Sequence, residues 1–450
     1  MNHFFQAMVT KFSSISTRKL SKALMLLTSN KSMVAMSDYG DFHRMVKRYV
    51  LTSLLGTNAQ LKCTRILYGI GYQKHNRGYR DTMIRNVLNI LHSEVKSDPS
   101  RAIEFRTPFQ AEIFRLSLKQ VIFLQALGQD VESIFVEELG KEMTKKEIFN
   151  ILVVDPMMGA IEVDWRDFFP YLSWIPNRSF ETKIQGMVTR KMAVTRALIM
   201  EQKKRRERGE EINCYLDFLL SENTLTEEQL TTLVWEAIIE ASDTTVVTTE
   251  WAMFELAKNP ECQHQIESPL ALQDLLYHEI RQVCGSENVT EEHLPQMSYL
   301  NAVFHEALRR HSPVPIVPLR YATEDTQLGG FNIQAGSEIA INLYACNMDK
   351  MQWEEPEEWK PERFLSDKLE QTDMHKTMAF GAGKRACAGI LQAMLISCMA
   401  IARFVQEFQW RLKEGEEANV LTVQLTTHKL HPMQAYITPR EADSARPQSS

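Results

Sequence analysis

The residues best able to do chemistry fall in one ten-residue segment, Phe380-Gly381-Ala382-Gly383-Lys384-Arg385-Ala386-Cys387-Ala388-Gly389. Glycines at 381 and 383 permit backbone torsions closed to other residues, so the loop can pass close beneath a flat ligand. Cys387 stands just ahead of a helical stretch, where free backbone N–H groups can point at its sulfur and moderate a thiolate's charge. Arg385 is placed to meet an anionic group. Three other chemistries fail. A phosphate loop of the form GxxxxGK[ST] needs glycine at Met378 and a hydroxyl residue at Arg385. A dinucleotide loop lacks its third glycine. A cysteine nucleophile lacks any family-specific context. The pattern FxxGxRxCxG, by contrast, matches in full.

A second polar feature must be positioned by a helix. Thr226-x-x-Gln229 forms a capping box, apolar spacing continues to Leu256, and Asn259-Pro260 stops it, so one helix is predicted from Thr226 to Leu256. Inside it Glu240-Ala241-Ser242-Asp243-Thr244-Thr245 opposes helix propensity. Back-bonding hydroxyls on a solvent face would explain such a patch, but Ile238, Ile239, Val246, Val247 and Trp251 surround it. A polar island in a buried helix points to a site. Around these two features, helical periodicity dominates to about residue 310. Pro313, Pro315 and Pro318 then cluster, and Glu338 to Leu343 reads as a strand. Helical texture returns from Cys387 to Leu412, and Leu421 to Arg440 reads as strands and a hairpin. The fold class is mainly α with small β-sheets, predicted as one domain over 1–440 with a polar tail over 441–450.

Composition narrows the function classes. The chain has 450 residues, 51 Lys+Arg and 57 Asp+Glu, and 44% hydrophobic residues, which excludes disordered and fibrous classes. Its net charge of -6 argues against nucleic acid as a partner. The basic run Lys203 to Arg208 is met at once by Glu210 and Glu211 and reads as a solvated connector. Seven scattered cysteines without a CxxC suit a reducing compartment. No uninterrupted apolar run approaches the roughly 20 residues of a transmembrane helix; the best, Ile390 to Ala402, contains Gln392 and Ser397.

The cysteine segment resembles that of the cytochrome P450 family, haem-thiolate monooxygenases. Three further elements follow in the family's order. Glu306-Ala307-Leu308-Arg309 resembles its ExxR helix, and Pro361-Glu362-Arg363-Phe364 its PERF element. The resemblance implies a structural triad of Glu306, Arg309 and Arg363. The mid-helix patch resembles the oxygen-activating motif, with Asp243 and Thr244 as the acid–alcohol pair. It implies haem b with iron bound by Cys387, contacted by Phe380 and Gly381, and propionates met by Arg385, His43, Lys47 and Arg320. O2 and NADPH-derived electrons would be used, the electrons arriving through NADPH–cytochrome P450 reductase docked on basic residues such as Arg44, Lys47, Arg48 and Lys384. Ile238, Ala241, Ser242, Thr245, Val314, Pro315, Ile316 and Val317 would wall the substrate pocket.

Phe168 to Pro176, Ile239 to Thr245 and Met378 to Ala393 are similar to the plant ent-kaurene oxidase family. That resemblance implies a diterpene substrate. Oxidation of ent-kaurene to ent-kaurenoic acid in gibberellin biosynthesis is the first expectation. Hydroxylation of another labdane-related diterpene in phytoalexin biosynthesis is the alternative. The family's WxxxR element aligns with His43-Arg44-Met45-Val46-Lys47, and a carboxylate, Glu240, stands where small residues are usual. The family's membrane anchor, first helix and first strands are not matched, so the fold is expected to be N-terminally truncated, with a non-catalytic chain as a further alternative. By family, the location is the cytosolic face of the endoplasmic reticulum membrane, with the plastid outer envelope as the other candidate. The apolar stretch Phe168 to Ile175 is expected to reach a membrane surface.

Overall fold

In the computed structural model the structure describes residues 6–54, 67–122, 125–126, 129–130, 133–209, 214–258, 271–365, 377–423 and 425–440. The tail over 441–450 lies outside the described residues, as do Cys63 and Cys262. Among the described residues nine α-helices exceed eight residues: α1 (Asp41–Tyr49), α2 (Leu67–Ser97), α3 (Arg106–Ile122), α4 (Arg178–Glu207), α5 (Glu227–Ser242), α6 (Thr244–Lys258), α7 (Leu272–Cys284), α8 (Ser298–Arg310) and α9 (Ile390–Glu407).

Two small antiparallel sheets matter for the site. One is ordered β1–β3–β4, with β1 at Thr17–Arg18, β3 at Ile316–Tyr321 and β4 at Glu338–Asn342. The other is ordered β5–β6–β2, with β2 at Ile103–Glu104, β5 at Phe408–Leu412 and β6 at Gln434–Pro439. β4 is an edge, paired only with β3 among the described residues. Strands also occur earlier than expected, in the hairpin of Ser133–Val136 with Lys141–Thr144.

The capping box forms as predicted: the Gln229 N–H donates to Thr226 Oγ1 at 3.2 Å, and Thr226 N–H donates to Gln229 Oε1 at 3.0 Å. The predicted single helix does not run unbroken. It splits at Asp243 into α5 and α6. Short polar side chains compete there with the backbone ladder, and the Ser242 hydroxyl back-bonds to the Ile238 carbonyl at 2.6 Å. The break also falls on a seam between two cores. Leu233 to Ile239 pack with residues of α3 and α4. Val246 to Ala257 pack with α7, α8, α9 and the second sheet.

The other departure concerns 408–412, predicted helical. It is β5, and its residues alternate, Phe408, Trp410 and Leu412 inward and Gln409 and Arg411 outward. α9 is long and apolar enough to cross a membrane by length and composition, but it packs against α6, α7 and α8.

Candidate active site

The cysteine loop is built as its glycines predict. Gly381 and Gly383 have φ of 67° and 68°. A Cβ at Gly383 would stand 2.8 Å from the Met8 carbonyl oxygen, so both torsion and space require glycine. The Cys387 N–H donates to the Phe380 carbonyl at 2.9 Å, closing the loop. The Gly389 N–H, ahead of α9, donates to Cys387 Sγ at 3.3 Å. Cys387 is exposed although protein packs closely around it, as a residue lining a cleft would be. Burial pushes its thiol up to about 11, against the pull of the Gly389 N–H and the Lys47 charge. This is a sheltered thiol, suited to a metal that displaces its proton and unsuited to act as a free nucleophile.

Beside the loop lies a group of buried cations. Arg385 Nη2 donates to the carbonyls of Ser37 at 2.6 Å and Ser16 at 3.2 Å. Arg320 Nη1 donates to the Ile15 carbonyl at 3.3 Å. Arg18, on β1, donates to the carbonyls of Ala35 at 3.0 Å and Pro318 at 2.9 Å. Burial holds all three guanidiniums below their ordinary range; repulsion from Arg320 and Arg385 adds to it at Arg18, and from Arg385 at Arg320, while Asp38 opposes it at Arg385. Burial, then Arg385, lowers His43 to about 4. Arg320 Nε and Nη2, Arg385 Nε and His43 Nε2 are buried without a partner. Unpaired buried donors and charges are costly. The arrangement therefore fits a planar ligand that places carboxylates against these groups and a soft metal against Cys387, which is the pattern of haem.

Arg18 was not evident from sequence: a lone arginine in a two-residue strand carries no local signal. Lys47 is displaced from its expected role. Its Nζ donates to the carbonyls of Lys384 at 2.8 Å and Ala386 at 3.0 Å, so it caps the cysteine loop instead of joining the three arginines.

The triad residues meet between α8 and the 347–363 segment. Arg309 forms a bidentate pair with Glu306, at 2.7 and 2.8 Å, with both side chains fully buried. Arg363 Nε lies 3.2 Å from Glu306, and the Lys360 N–H donates to the same carboxylate at 2.9 Å. Arg309 also donates to the carbonyls of Asn347 and Glu358, and Arg363 to that of Glu354. One ion cluster thus ties α8 to the 347–363 segment.

On the helical side, Asp243 is buried in a place that sequence did not foresee. Its carboxylate accepts from Thr426 Oγ1 at 2.6 Å and lies 2.7 Å from His428 Nε2, across some 185 residues of chain. Thr244, the next residue, is partly exposed, and its side chain makes no hydrogen bond among the described residues. Of the expected pocket wall, Ala241, Val314 and Pro315 are partly exposed and Ile316 is exposed. Thr245 and Val317 are buried. Ile238 and Ser242 are fully buried in packing; Ser242 Oγ lies 3.1 Å from Ser117 Oγ on α3. These two support the wall from behind instead of lining it, because the helix turns them towards α3.

Residues 110–433 match the family Cytochrome P450. A zebra fish cytochrome P450 solved with progesterone superposes with a TM-score of 0.73 at 19% identity, over 98% of this chain and 92% of that one. The chain belongs to the cytochrome P450 family, with its mainly helical fold and haem-thiolate iron reduced by NADPH-derived electrons through a reductase. Within that family it is similar to plant ent-kaurene oxidases along nearly its whole length. Ent-kaurene oxidase 2 of Oryza sativa subsp. japonica is 60% identical over 97% of this chain and 81% of the relative. Ent-kaurene oxidase of Salvia miltiorrhiza is 57% identical, over 97% and 79%. Ent-sandaracopimaradiene 3-hydroxylase of Oryza sativa subsp. japonica is 51% identical, over 97% and 80%.

Proposed function

We propose that this chain is a monooxygenase of diterpene hydrocarbons, with ent-kaurene its first substrate and ent-kaurenoic acid the product. The observation that carries this reading is identity of 57–60% to two ent-kaurene oxidases over 97% of the chain, joined to a cleft with one cysteine and an unpaired cation group. The haem supplies oxidation of an unactivated C–H bond. The chain's own residues do the rest. Cys387 would provide the thiolate that holds the iron. Arg18, Arg320, Arg385 and His43 would hold the propionates, and Arg320, Arg385 and His43 would gain the partners that their buried atoms lack. Thr244 offers a free hydroxyl to order water and pass protons. Asp243, gripped by His428 and Thr426, fixes the break that presents it. Ala241, Val314, Pro315 and Ile316 give the substrate an apolar wall.

The second reading, favoured by the 51% relative, is single hydroxylation of ent-sandaracopimaradiene. Supplying each hydrocarbon with reductase and NADPH, and identifying products by mass spectrometry, decides between them. Ent-kaurenoic acid supports the first reading; a hydroxylated sandaracopimaradiene alone supports the second; no product from either counts against both. Replacing Thr244 by alanine is expected to raise peroxide released per NADPH several-fold while leaving haem bound, because the hydroxyl is needed for proton delivery. Unchanged coupling would remove Thr244 from that role.

The reductase meets a basic surface at the cysteine loop, where Arg44, Arg48 and Lys384 are exposed. Just before α4, Phe168, Tyr171 and Trp174 are about 70% exposed or more, at 69, 72 and 77%. Aromatic side chains so exposed suit the interface of a bilayer. This surface rests on the cytosolic face of the endoplasmic reticulum, the plastid outer envelope being the other candidate membrane. Trp174→Asp is expected to reduce flotation with lipid vesicles; equal flotation of variant and wild type would exclude this surface.

A further inference from the structure

Each hydroxylation consumes a C–H bond, O2, two electrons from NADPH and two protons, and yields a C–OH group and water. The protons must come through the protein. Asp243, the expected acid, has both carboxylate oxygens engaged by Thr426 and His428. A different pair of acids stands on the same helix. Glu236 and Glu240 are one turn apart on α5, and Thr244 follows four residues later, past the break. The Glu236 carboxylate is buried and accepts from the N–H groups of Val34 and Ala35, both at 2.8 Å. The Glu240 side chain lies close to that of Glu236, one turn back along α5. Two neighbouring carboxyl groups titrate as a unit, and sharing one proton relieves their repulsion.

Glu240, unlike the buried Glu236, is exposed. It lies near enough to Cys387 and Arg18 for its charge to act on both. Tyr215 is fully buried nearby; among the described residues its hydroxyl has no hydrogen-bond partner, and the charges of both glutamates act on it. Burial lifts both carboxyls above their ordinary range, with Arg18 opposing at Glu240.

We propose that Glu240, sharing a proton with Glu236, supplies protons to the Thr244 side of the cleft during oxygen reduction. The step breaks the Glu240 O–H bond and forms an O–H bond on reduced oxygen. Glu236 holds the pair in place through the 34–35 backbone, and bulk water reprotonates it. Asp243 then acts as a positioning residue for the helix break. This inference rests on the oxygenase reading above, and its test separates the two.

Infrared spectra of the wild-type holoprotein at neutral pH, in H2O and in D2O, report a protonated carboxyl without turnover. The expected result is a deuterium-sensitive carboxylic-acid band that is lost in Glu240→Gln. In the same variant, peroxide released per NADPH rises several-fold and the solvent isotope effect on hydroxylation changes. Glu240→Asp recovers coupling in part. Absence of the band from wild type overturns the proposal, as does wild-type coupling in Glu240→Gln. If wild type turns over neither diterpene, the oxygenase reading fails on that ground, and the infrared result still decides whether the pair holds a proton.

Discussion

Replacing Glu306 by alanine is expected to leave a chain that does not hold haem and unfolds far below the wild-type temperature. The carboxylate is fully buried and is the shared anion of Arg309 and Arg363. Removing it strands the fully buried Arg309 guanidinium without its bidentate partner. Breaking a buried pair in this way costs about 3–5 kcal/mol, a large part of a domain's total stability of about 5–15 kcal/mol. It also frees the Lys360 N–H and loosens the 347–363 segment that Arg309 and Arg363 bind. Calorimetry with a haem assay checks this. Glu306→Gln keeps one acceptor oxygen but loses the charge and turns an amide donor towards an arginine N–H, so it should fall between the two. A melting temperature unchanged in Glu306→Ala would show that the cluster does not tie α8 to that segment.

The second large effect is at Cys387. Serine at this position keeps the size and the Phe380 contact of the loop, but its alcohol is not a soft anionic ligand. Hydroxylation should stop altogether while the fold survives, because the loop is set by Gly381, Gly383 and backbone hydrogen bonds and not by sulfur. Turnover assays with mass spectrometry, alongside circular dichroism, separate lost chemistry from lost structure. Retained hydroxylation in Cys387→Ser would move the axial ligand elsewhere. Cys214, Cys284 and Cys398 are buried, which leaves them little access to a ligand in the cleft.

The legible parts of this protein were local. The cysteine loop declares itself because its glycines, arginine and cysteine sit within ten residues, and backbone geometry forces that spacing. Glu306 and Arg309 are one turn apart, so their pairing follows from helix geometry; the third member, Arg363, is read from the resemblance to the PERF element. The cation group was only half legible. His43, Arg320 and Arg385 came from resemblance, whereas Arg18 joins them through sheet pairing of β1 with β3 across some 300 residues. The Asp243 contacts with Thr426 and His428 are equally long-range, and no local pattern encodes them. The break at Asp243 was foreshadowed by its polar neighbours, but apolar periodicity on both sides argued for one helix. β5 had its own signal, the alternation from Phe408 to Leu412, and the strong helix before it masked that. The Glu236–Glu240 pair was visible as like charges four apart in an apolar helix, a spacing that is unfavourable on a surface. Its meaning needed the backbone of residues 34 and 35.

The central claim is that Cys387 presents a thiolate to haem iron in the cleft beside Arg18, Arg320 and Arg385. The carbon-monoxide difference spectrum of the reduced wild-type protein tests it most directly. The expected result is the red-shifted Soret band of a thiolate-bound haem, absent from Cys387→Ser. A wild-type protein that binds haem and shows only the band of an imidazole- or water-bound iron would contradict it.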